Sequence, residues 1–298
     1  MLKKFDNAAY LLRRRPLYFL AVVIDKLTLT TKLAKKMDTG TKDASEVLGL
    51  EVDSVPISSL VSYVESLSVD SSSDSKGVVD IHEFLQDSGL KKFASVDRAK
   101  FLADQLNRYK SDKSSTHGYE QIYQPIFDYV LSACSSLKIS EIGLGTNNIE
   151  FLSNMGVWGE PGASCRAFRD FDQRIFVHGG DIDKEVLFEE GRISTGFVDQ
   201  LSLSSLESFL SASQFDVLID DGLHVARANF NFLATALRVV KRQPAAASRW
   251  IVIEDIVHNE ENASFWIAVL SLLPCHLSSW LVKTNTRLMV VVLVPSAG

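Results

Sequence analysis

The sequence predicts an α/β fold in which a helical region precedes a doubly wound, mostly parallel sheet. Five short apolar runs end abruptly in glycine or acidic residues: SEIGLG (140–145), GGDID (179–183), FVDQ (197–200), VLIDDGLH (217–224) and IVIEDI (251–256). Helical segments alternate with these runs, as a doubly wound sheet requires. The chain then closes with two β-rich runs that are too near one another to be parallel.

Residues 1–110 are predicted to form a helical accessory region, followed by the sheet domain over 111–298. Helical patterns occur in ISSLVSYVESL, DIHEFLQDSGL and VDRAKFLADQLNRY, and the serine-rich VDSSSDSKG is typical of a loop. The apolar run PLYFLAVVI is much shorter than the roughly 20 residues that a spanning helix needs. We therefore expect no transmembrane helix.

Charge is distributed unevenly along the chain. Residues 1–36 carry nine Lys or Arg and two Asp, so the start has a charge of +7 and the remainder −13, within a net charge of −6. The basic start could be a peripheral membrane helix, a helix that docks a partner, or a solvated helix on its own domain. The acidic remainder argues against nucleic acid as a partner. We expect a cytoplasmic protein, with peripheral membrane contact as the alternative, and a homo-oligomer.

Cysteine usage favours a reducing compartment. The three cysteines, Cys134, Cys165 and Cys275, are an odd number without metal-ligand spacing. A disulfide framework and a zinc site are therefore not expected.

The sheet domain begins with a helix and ends with a hairpin. Ile122, Ile126 and Val130 recur at four-residue steps before the first strand. Further helices are predicted in ASCRAFRDF, SLSSLESFLSAS, RANFNFLATALRVVK and NEENASFWIAVLSLL. The runs CHLSSWLVK and RLMVVVLV are separated by a few residues around 284–286, which permits only an antiparallel pair.

The first strand ends in a glycine motif. Gly143 and Gly145 suit a sharp turn and a close approach of the backbone to a ligand, and Glu141 adds a carboxylate. Asn148 stands where the third glycine of a pyrophosphate-binding fingerprint would be. The motif therefore disfavours a diphosphate cofactor and suits a cationic ligand.

The next two strand ends also offer polar side chains to a cofactor. Asp181 is placed where an acid commonly accepts hydrogen bonds from a ribose diol. Asp199 and Gln200 could hold an adenine amino group and ring edge. Each of these residues could alternatively be a surface residue at a loop or a helix start. Their order along the chain favours the cofactor interpretation.

The series E-x-G-x-G, acidic second strand end, V-D-Q, I-D-D-G-x-H and I-E-D resembles the class I S-adenosylmethionine-dependent methyltransferases. It is most similar to metal-dependent sugar O-methyltransferases of the macrolide-tailoring (macrocin or mycinamicin) type. The resemblance covers roughly residues 110–298, and its last two motifs are the most specific. It implies a Rossmann-like sheet of seven strands with a reversed final strand.

The resemblance also implies roles for individual residues. In that family a magnesium ion is held by positions that match Asp221, Glu254 and Asp255, and a histidine that matches His224 is the general base. Asp220 is assigned to the cofactor site with the residues of the earlier motifs. Carboxylates crowded at adjacent strand ends repel one another unless a cation neutralises them, and oxygen ligands select a hard ion such as Mg²⁺. An imidazole with a pKa of about 6.5 suits proton removal at neutral pH.

Two loops are further candidates for the site. Residues 111–123 could close over the cleft through Asp112, Lys113, His117 and Tyr119, or could simply link two domains. Trp158, in the long loop after the first strand, could stack on a ring or pack on its own loop.

The sequence thus predicts a Mg²⁺-dependent enzyme that moves a methyl group from S-adenosylmethionine to a sugar hydroxyl of a glycosylated natural product or surface glycan. Three alternatives stay open: a methyltransferase for a catechol or other small diol, a non-catalytic cofactor-binding protein, and an NAD-dependent oxidoreductase. The incomplete glycine fingerprint and the terminal hairpin weigh against the last.

Overall fold

A computed structural model describes residues 77–151, 153–156, 159–243 and 247–296. The basic start, the predicted helix ISSLVSYVESL and Trp158 lie outside these residues. The predictions made for them, including the peripheral membrane contact, stay predictions. Within the described residues no helix is long and apolar enough to cross a membrane.

The described strands form one sheet whose order is β1-β7-β8-β6-β5-β2-β3-β4. The strands are β1 (Val78–Asp80), β2 (Leu137–Ile142), β3 (Ile175–Asp181), β4 (Ile193–Phe197), β5 (Val217–Asp220), β6 (Arg249–Val257), β7 (Ser278–Lys283) and β8 (Arg287–Val294). Strands β2 to β6 pair in parallel, whereas β8 runs antiparallel to both β6 and β7. The predicted parallel sheet with a reversed last strand is therefore confirmed.

The sheet contains eight strands in the described chain, not the seven that were predicted. The additional strand, β1, pairs in parallel with β7, with Val78 opposite Leu281. A strand of three residues is too short to show an alternating pattern, and it borders a helix, so the sequence offered no signal for it.

Helices cover both faces of the sheet. They are α1 (Ile81–Asp87), α2 (Val96–Arg108), α3 (Asp112–Ser115), α4 (Glu120–Ala133), α5 (Ala163–Phe171), α6 (Leu203–Leu210), α7 (Ala226–Arg242) and α8 (Glu260–Ser271). Along β5, Val217 and Ile219 pack in the core with α4 and α5, and Leu218 packs in the core with α6 and α7. This alternation is what a strand buried on both faces requires.

Residues 77–110 belong to the same core as the sheet. Phe84 of α1 packs edge-on against Trp280 of β7, with ring centroids 5.3 Å apart. Leu102 and Leu106 of α2 are fully buried in the core that also contains α4. Within residues 77–110 the structure describes α1, α2 and the strand β1. The predicted division of the chain at residue 110 stays a prediction.

Candidate active site

The glycine turn after β2 lies against the end of β5. Gly143 and Gly145 have φ values of 101° and 81°, which only glycine adopts without strain. A Cβ atom on Gly143 would stand 2.1 Å from the backbone oxygen of Asp221. Gly143 is therefore required by the close approach of two backbone segments, the turn after β2 and the residues after β5.

We expect Gly143→Ala to lower the free energy of unfolding by about 1–3 kcal/mol or more, because the left-handed backbone is strained and the added methyl group meets backbone atoms that cannot rotate away. Gly191→Ala is the matched control, since nothing lies within 4 Å of a Cβ placed there. Urea unfolding of both variants measures the difference. Equal stabilities would contradict the close approach.

Glu141, at the end of β2, is fully buried and hydrogen-bonded within the protein. One carboxylate oxygen accepts from the Ser164 hydroxyl at 2.7 Å, and the other accepts from the Cys165 thiol at 3.2 Å. Both donors belong to the first turn of α5, which packs on the neighbouring strand β3. This contact was not predicted from the sequence.

Asp181 ties the end of β3 to the glycine turn. Its carboxylate accepts the backbone N–H groups of Gly145 at 3.0 Å and Asp183 at 2.9 Å. Burial raises the pKa of Asp181, while these hydrogen bonds oppose the shift. Asp183 was not among the predicted site residues, although it is equally buried and accepts the Thr146 hydroxyl at 2.5 Å. The second acid of GGDID could have indicated it.

Gln200 and Asp220 hydrogen-bond to each other inside the protein. The Gln200 amide donates to Asp220 at 2.5 Å and accepts the Leu223 N–H at 2.7 Å. Asn229 of α7 donates to the other oxygen of Asp220 at 2.8 Å. Burial raises the pKa of Asp220 to about 6. The amide nitrogen and oxygen of Gln200 are thus both hydrogen-bonded inside the protein. Asp199, by contrast, is partly exposed.

A bulge in β6 brings two consecutive acids to one place. Consecutive side chains of a regular strand point to opposite faces. The register of β6 against β8 shifts between Ile253 and Ile256, and Asp255 has a φ of 58°. The irregular backbone lets Glu254 and Asp255 both join Asp221 at the carboxyl edge, which is a known use of bulges beside active sites.

The outer half of the site consists of Asp221, His224 and Asp255. His224 Nε2 lies 3.8 Å from Asp221 Oδ1 and 3.9 Å from Asp255 Oδ2. The three side chains are each 20–24% exposed, and their ligand atoms all lie within 4.8 Å of one another. His224 has a φ of 53°, so two of the three residues hold a left-handed backbone that is uncommon outside glycine.

The inner half of the site consists of Glu141, Glu254 and Lys113. The ammonium group of Lys113 lies 2.5 Å from Glu254 Oε2, 2.6 Å from Asp221 Oδ2 and 3.3 Å from Glu141 Oε1. The hydroxyl of Tyr123 donates to the other oxygen of Glu254. Lys113 is 2% exposed and Glu254 1%, so this half is closed to solvent.

The electrostatics of the two halves follow from burial. Burial and neighbouring carboxylates raise the pKa values of Asp221 and Glu254, although Lys113 opposes both shifts. The same carboxylates raise the pKa of Lys113 although burial favours its neutral form. The surrounding carboxylates therefore favour the charged form of Lys113 despite its burial.

The segment 111–119 supplies further side chains to the centre. The Tyr119 hydroxyl donates to Asp255 Oδ1 at 2.5 Å, and His117 Nε2 lies 3.8 Å from the same oxygen. His117 also hydrogen-bonds to Thr286 in the turn between β7 and β8. Burial disfavours the charged imidazole of His117, but Asp112 and Asp255 raise its pKa. The structure thus brings three of the four predicted loop residues to the site, whereas Asp112 is mostly exposed.

Tyr123 was missed by the sequence analysis. It follows Tyr119 by four residues at the start of α4, so the two hydroxyls lie on one helix face. The spacing Y-x-x-x-Y could have indicated it, but of the two tyrosines only Tyr119 was named as a candidate within the segment 111–123.

Comparisons with known proteins found similarity over part of the chain. No family model matches the chain. A curated relative, the 8-demethyl-8-alpha-L-rhamnosyl tetracenomycin-C 2'-O-methyltransferase of Streptomyces olivaceus, is 29% identical over 133 residues, which are 42% of this chain and 31% of the relative. The chain thus spans about a third of the relative's length.

Two solved structures are also similar to about half of the chain. The MycE methyltransferase from the mycinamycin biosynthetic pathway, in complex with Mg and SAH, is 26% identical at a TM-score of 0.42, covering 52% of this chain and 39% of that chain. Human methyltransferase-like protein 13, in complex with SAH, is 13% identical at a TM-score of 0.37, covering 54% and 72%.

The sheet order with a reversed last strand, the glycine turn and the curated relative together support one assignment. The chain resembles the class I S-adenosylmethionine-dependent methyltransferases in its motifs and strand order, and over 133 residues it is similar to a sugar O-methyltransferase.

Proposed function

We propose that the chain transfers a methyl group from S-adenosylmethionine to a sugar hydroxyl of a glycosylated natural product or surface glycan. The observation that carries this proposal is the contact of the glycine turn with the outer half, where a Cβ on Gly143 would meet Asp221. The expected cofactor turn and the expected acceptor site are therefore neighbours. Group transfer between two bound molecules depends on such proximity.

Cofactor binding is assigned to Glu141, Gly143, Gly145, Asp181 and Asp199. The activated sulfonium of S-adenosylmethionine supplies the methyl group, so these residues need only bind and orient it. Asp181 supports the assignment because it fixes Gly145 through a hydrogen bond. Gln200 and Asp220 are assigned a supporting role, since they bond to each other behind the turn.

The donor set of the outer half fits a hard divalent ion, because Asp221 and Asp255 offer carboxylate oxygens at a partly exposed position. A Mg²⁺ ion bound there would lower the pKa of an acceptor hydroxyl and orient it. His224 would then take the hydroxyl proton at Nε2, the atom that faces both carboxylates. Glu254, the third predicted ligand, lies on the buried side of these two acids.

The acceptor class rests on similarity. The curated relative acts, by its name, on a rhamnosyl tetracenomycin at a 2'-hydroxyl. A catechol or another small diol would use the same carboxylates and base. Activity assays with methyl glycosides of deoxysugars and with catechol as competing acceptors would separate the two classes.

A calorimetric titration and a methyl-transfer assay together test the proposed cofactor and the proposed metal. The purified protein is titrated calorimetrically with S-adenosylmethionine and with NAD, each with and without Mg²⁺, and methyl transfer is assayed before and after EDTA. We expect binding of S-adenosylmethionine only, and loss of methyl transfer on EDTA treatment that Mg²⁺ restores. Binding of NAD alone would contradict the methyltransferase proposal, and full activity in EDTA would contradict the metal.

Asp181→Ala should weaken the binding of S-adenosylmethionine by about 1–3 kcal/mol, because a hydrogen bond from the ribose would be lost. Asp183→Ala is the matched variant, since Asp183 is also buried and also accepts backbone and hydroxyl donors. Calorimetric titration of both variants with S-adenosylmethionine shows which carboxylate contacts the ribose. A loss confined to Asp183→Ala would transfer the ribose role to Asp183.

A further inference from the structure

The turn that carries His224 is held by hydrogen bonds along its backbone. The N–H group of Gly222 donates to Asp220 Oδ1 at 3.2 Å. The N–H group of Leu223 donates to Gln200 Oε1 at 2.7 Å. His224 itself has a φ of 53°, a conformation that costs energy outside glycine and persists only where its surroundings fix it. The contacts of this turn therefore decide where the imidazole lies.

Ser153 adds a contact to this turn from a distant part of the chain. Its hydroxyl donates to the backbone oxygen of Gly222 at 2.8 Å. The oxygen of Gly222 and the N–H group of Leu223 belong to one planar peptide unit. That unit is therefore held at both ends, with Ser153 on its oxygen and Gln200 on its N–H group. It cannot rotate without breaking both bonds.

Ser153 is in turn fixed to the glycine turn after β2 through Met155. The Met155 N–H group donates to the backbone oxygen of Thr146 at 2.8 Å. A Cβ atom on Gly145 would lie 2.3 Å from Met155 Sδ, so the thioether packs directly on the glycine turn. Residues 153–156 thus contact two turns: the glycine turn and the turn that carries the predicted base.

We propose that Ser153 is a positioning residue, which directs the His224 imidazole by holding the peptide unit between Gly222 and Leu223. This inference rests on the proposed function, which makes His224 the general base. Without the Ser153 hydroxyl the unit keeps only its bond to Gln200, and it can rotate about the bonds that flank it. Such a rotation turns the backbone that leads into His224, so the imidazole leaves its place beside the two carboxylates of the outer half.

A different role for the serine makes a different prediction. A serine that only held its own loop on the glycine turn would act on the cofactor, because Gly145 belongs to the proposed cofactor site and Met155 packs on it. Loss of such a serine would change the affinity for S-adenosylmethionine. A serine that positions His224 instead changes the rate of proton removal and leaves that affinity unchanged. The split between kcat and cofactor affinity therefore separates the two roles.

Three variants test the role of the hydroxyl. Ser153→Ala removes it, whereas Ser153→Thr keeps a hydroxyl at the same position. Ser271→Ala is the matched control, because the Ser271 hydroxyl also donates to a backbone oxygen, that of Ala268 at 2.7 Å, but in α8. Methyl α-L-rhamnoside, a deoxysugar glycoside, is the acceptor probe in the kinetic assay. Amide hydrogen exchange at Leu223, followed by NMR, needs no acceptor.

We expect Ser153→Ala to lower kcat about three- to tenfold, the equivalent of one net hydrogen bond, with unchanged affinity for S-adenosylmethionine. Ser153→Thr and Ser271→Ala should stay near the wild type. The Leu223 amide should exchange about three- to tenfold faster in Ser153→Ala while the amides of β3 keep their rates, because only the turn is loosened. Unchanged exchange at Leu223, or a loss of cofactor affinity with an unchanged kcat, would overturn the inference.

A double-variant cycle with His224→Asn shows whether Ser153 acts through the imidazole. In the His224→Asn background, Ser153→Ala should change kcat by less than about twofold, because the group that it positions is already gone. An equal loss in both backgrounds would contradict the positioning role. If the wild type does not methylate the probe, or His224→Asn has no measurable turnover, the exchange rate of Leu223 decides the question alone.

Failure of the proposed function has its own signs. If the wild type binds no S-adenosylmethionine, the proposed function is wrong, whereas the exchange rate of Leu223 still decides whether Ser153 holds the turn. If His224→Asn keeps near-normal turnover, His224 is not the base and the inference falls with that assignment.

Discussion

Replacing His224 with asparagine should lower turnover by about a hundred- to ten-thousand-fold, the usual cost of losing a general base. Asparagine is the preferred replacement because His224 has a φ of 53°, and asparagine tolerates the left-handed backbone better than alanine does. The variant therefore removes the imidazole while preserving the turn. Turnover, affinity for S-adenosylmethionine and thermal midpoint are measured together.

His117 provides the matched comparison for this experiment. It is a second imidazole beside Asp255, 3.8 Å from the oxygen opposite the one that faces His224. Its side chain is only 7% exposed, against 24% for His224, so an acceptor hydroxyl reaches His224 more readily. If His117→Asn lost most of its turnover while His224→Asn kept near-normal turnover, His117 and not His224 would be the general base.

Replacing Lys113 with methionine should lower the free energy of unfolding by about 3–5 kcal/mol, the cost of removing one partner of a buried ion pair. Methionine preserves most of the volume, so the loss reports the uncompensated carboxylates of Glu141, Asp221 and Glu254. Urea unfolding at neutral pH without added divalent ions measures it.

Lys110→Met is the control for the lysine substitution. Lys110 pairs with Glu160 at 2.7 Å, but the two side chains are 67% and 53% exposed. Pairs of this kind contribute less than about 1 kcal/mol. If the two lysine variants were equally stable, Lys113 would not be the cation that the acidic centre needs.

The Lys113→Met deficit should also depend on pH. The pKa values of Asp221 and Glu254 are raised in the folded protein, so the folded state binds more protons than the unfolded state. Stability therefore falls as pH rises through these raised values. Without Lys113 the pKa values should rise further, so the deficit relative to the wild type should be smaller in mildly acidic buffer than at neutral pH.

Most of the sheet was predictable because most of its strands have a recognisable apolar pattern in the sequence. Apolar runs that end in acids indicated β2, β3, β5 and β6, and two adjacent β-rich runs indicated the β7–β8 hairpin. These are local patterns, and the alternation with helices leaves few arrangements of the chain. The edge strand β1 was missed because three residues beside a helix carry too little pattern to be recognised.

The acids of the site were also predicted from short sequence patterns. Asp221, Glu254 and Asp255 do meet at one edge of the sheet. The residues that contact these acids come from distant parts of the chain. Lys113 precedes Asp221 by 108 residues and Glu254 by 141, and the sequence predicted no more than that its loop could approach the cleft. The sequence predicted a metal ion because crowded carboxylates need a cation, and in the structure the Lys113 ammonium lies among three carboxylates of the centre.

The sequence by itself determined the strand-helix order, the reversed last strand and the presence of carboxylates at the cleft, because these depend on periodicity and on where runs end. Only the tertiary structure decided which oxygen of each acid is free to act. The bulge at Glu254 and Asp255, the approach of Lys113 and Tyr123, and the support of His117 by Thr286 all join distant segments. Those contacts set the burial and the charge of this centre. A contact between two segments that are far apart in the chain cannot be recognised from the sequence of either segment alone.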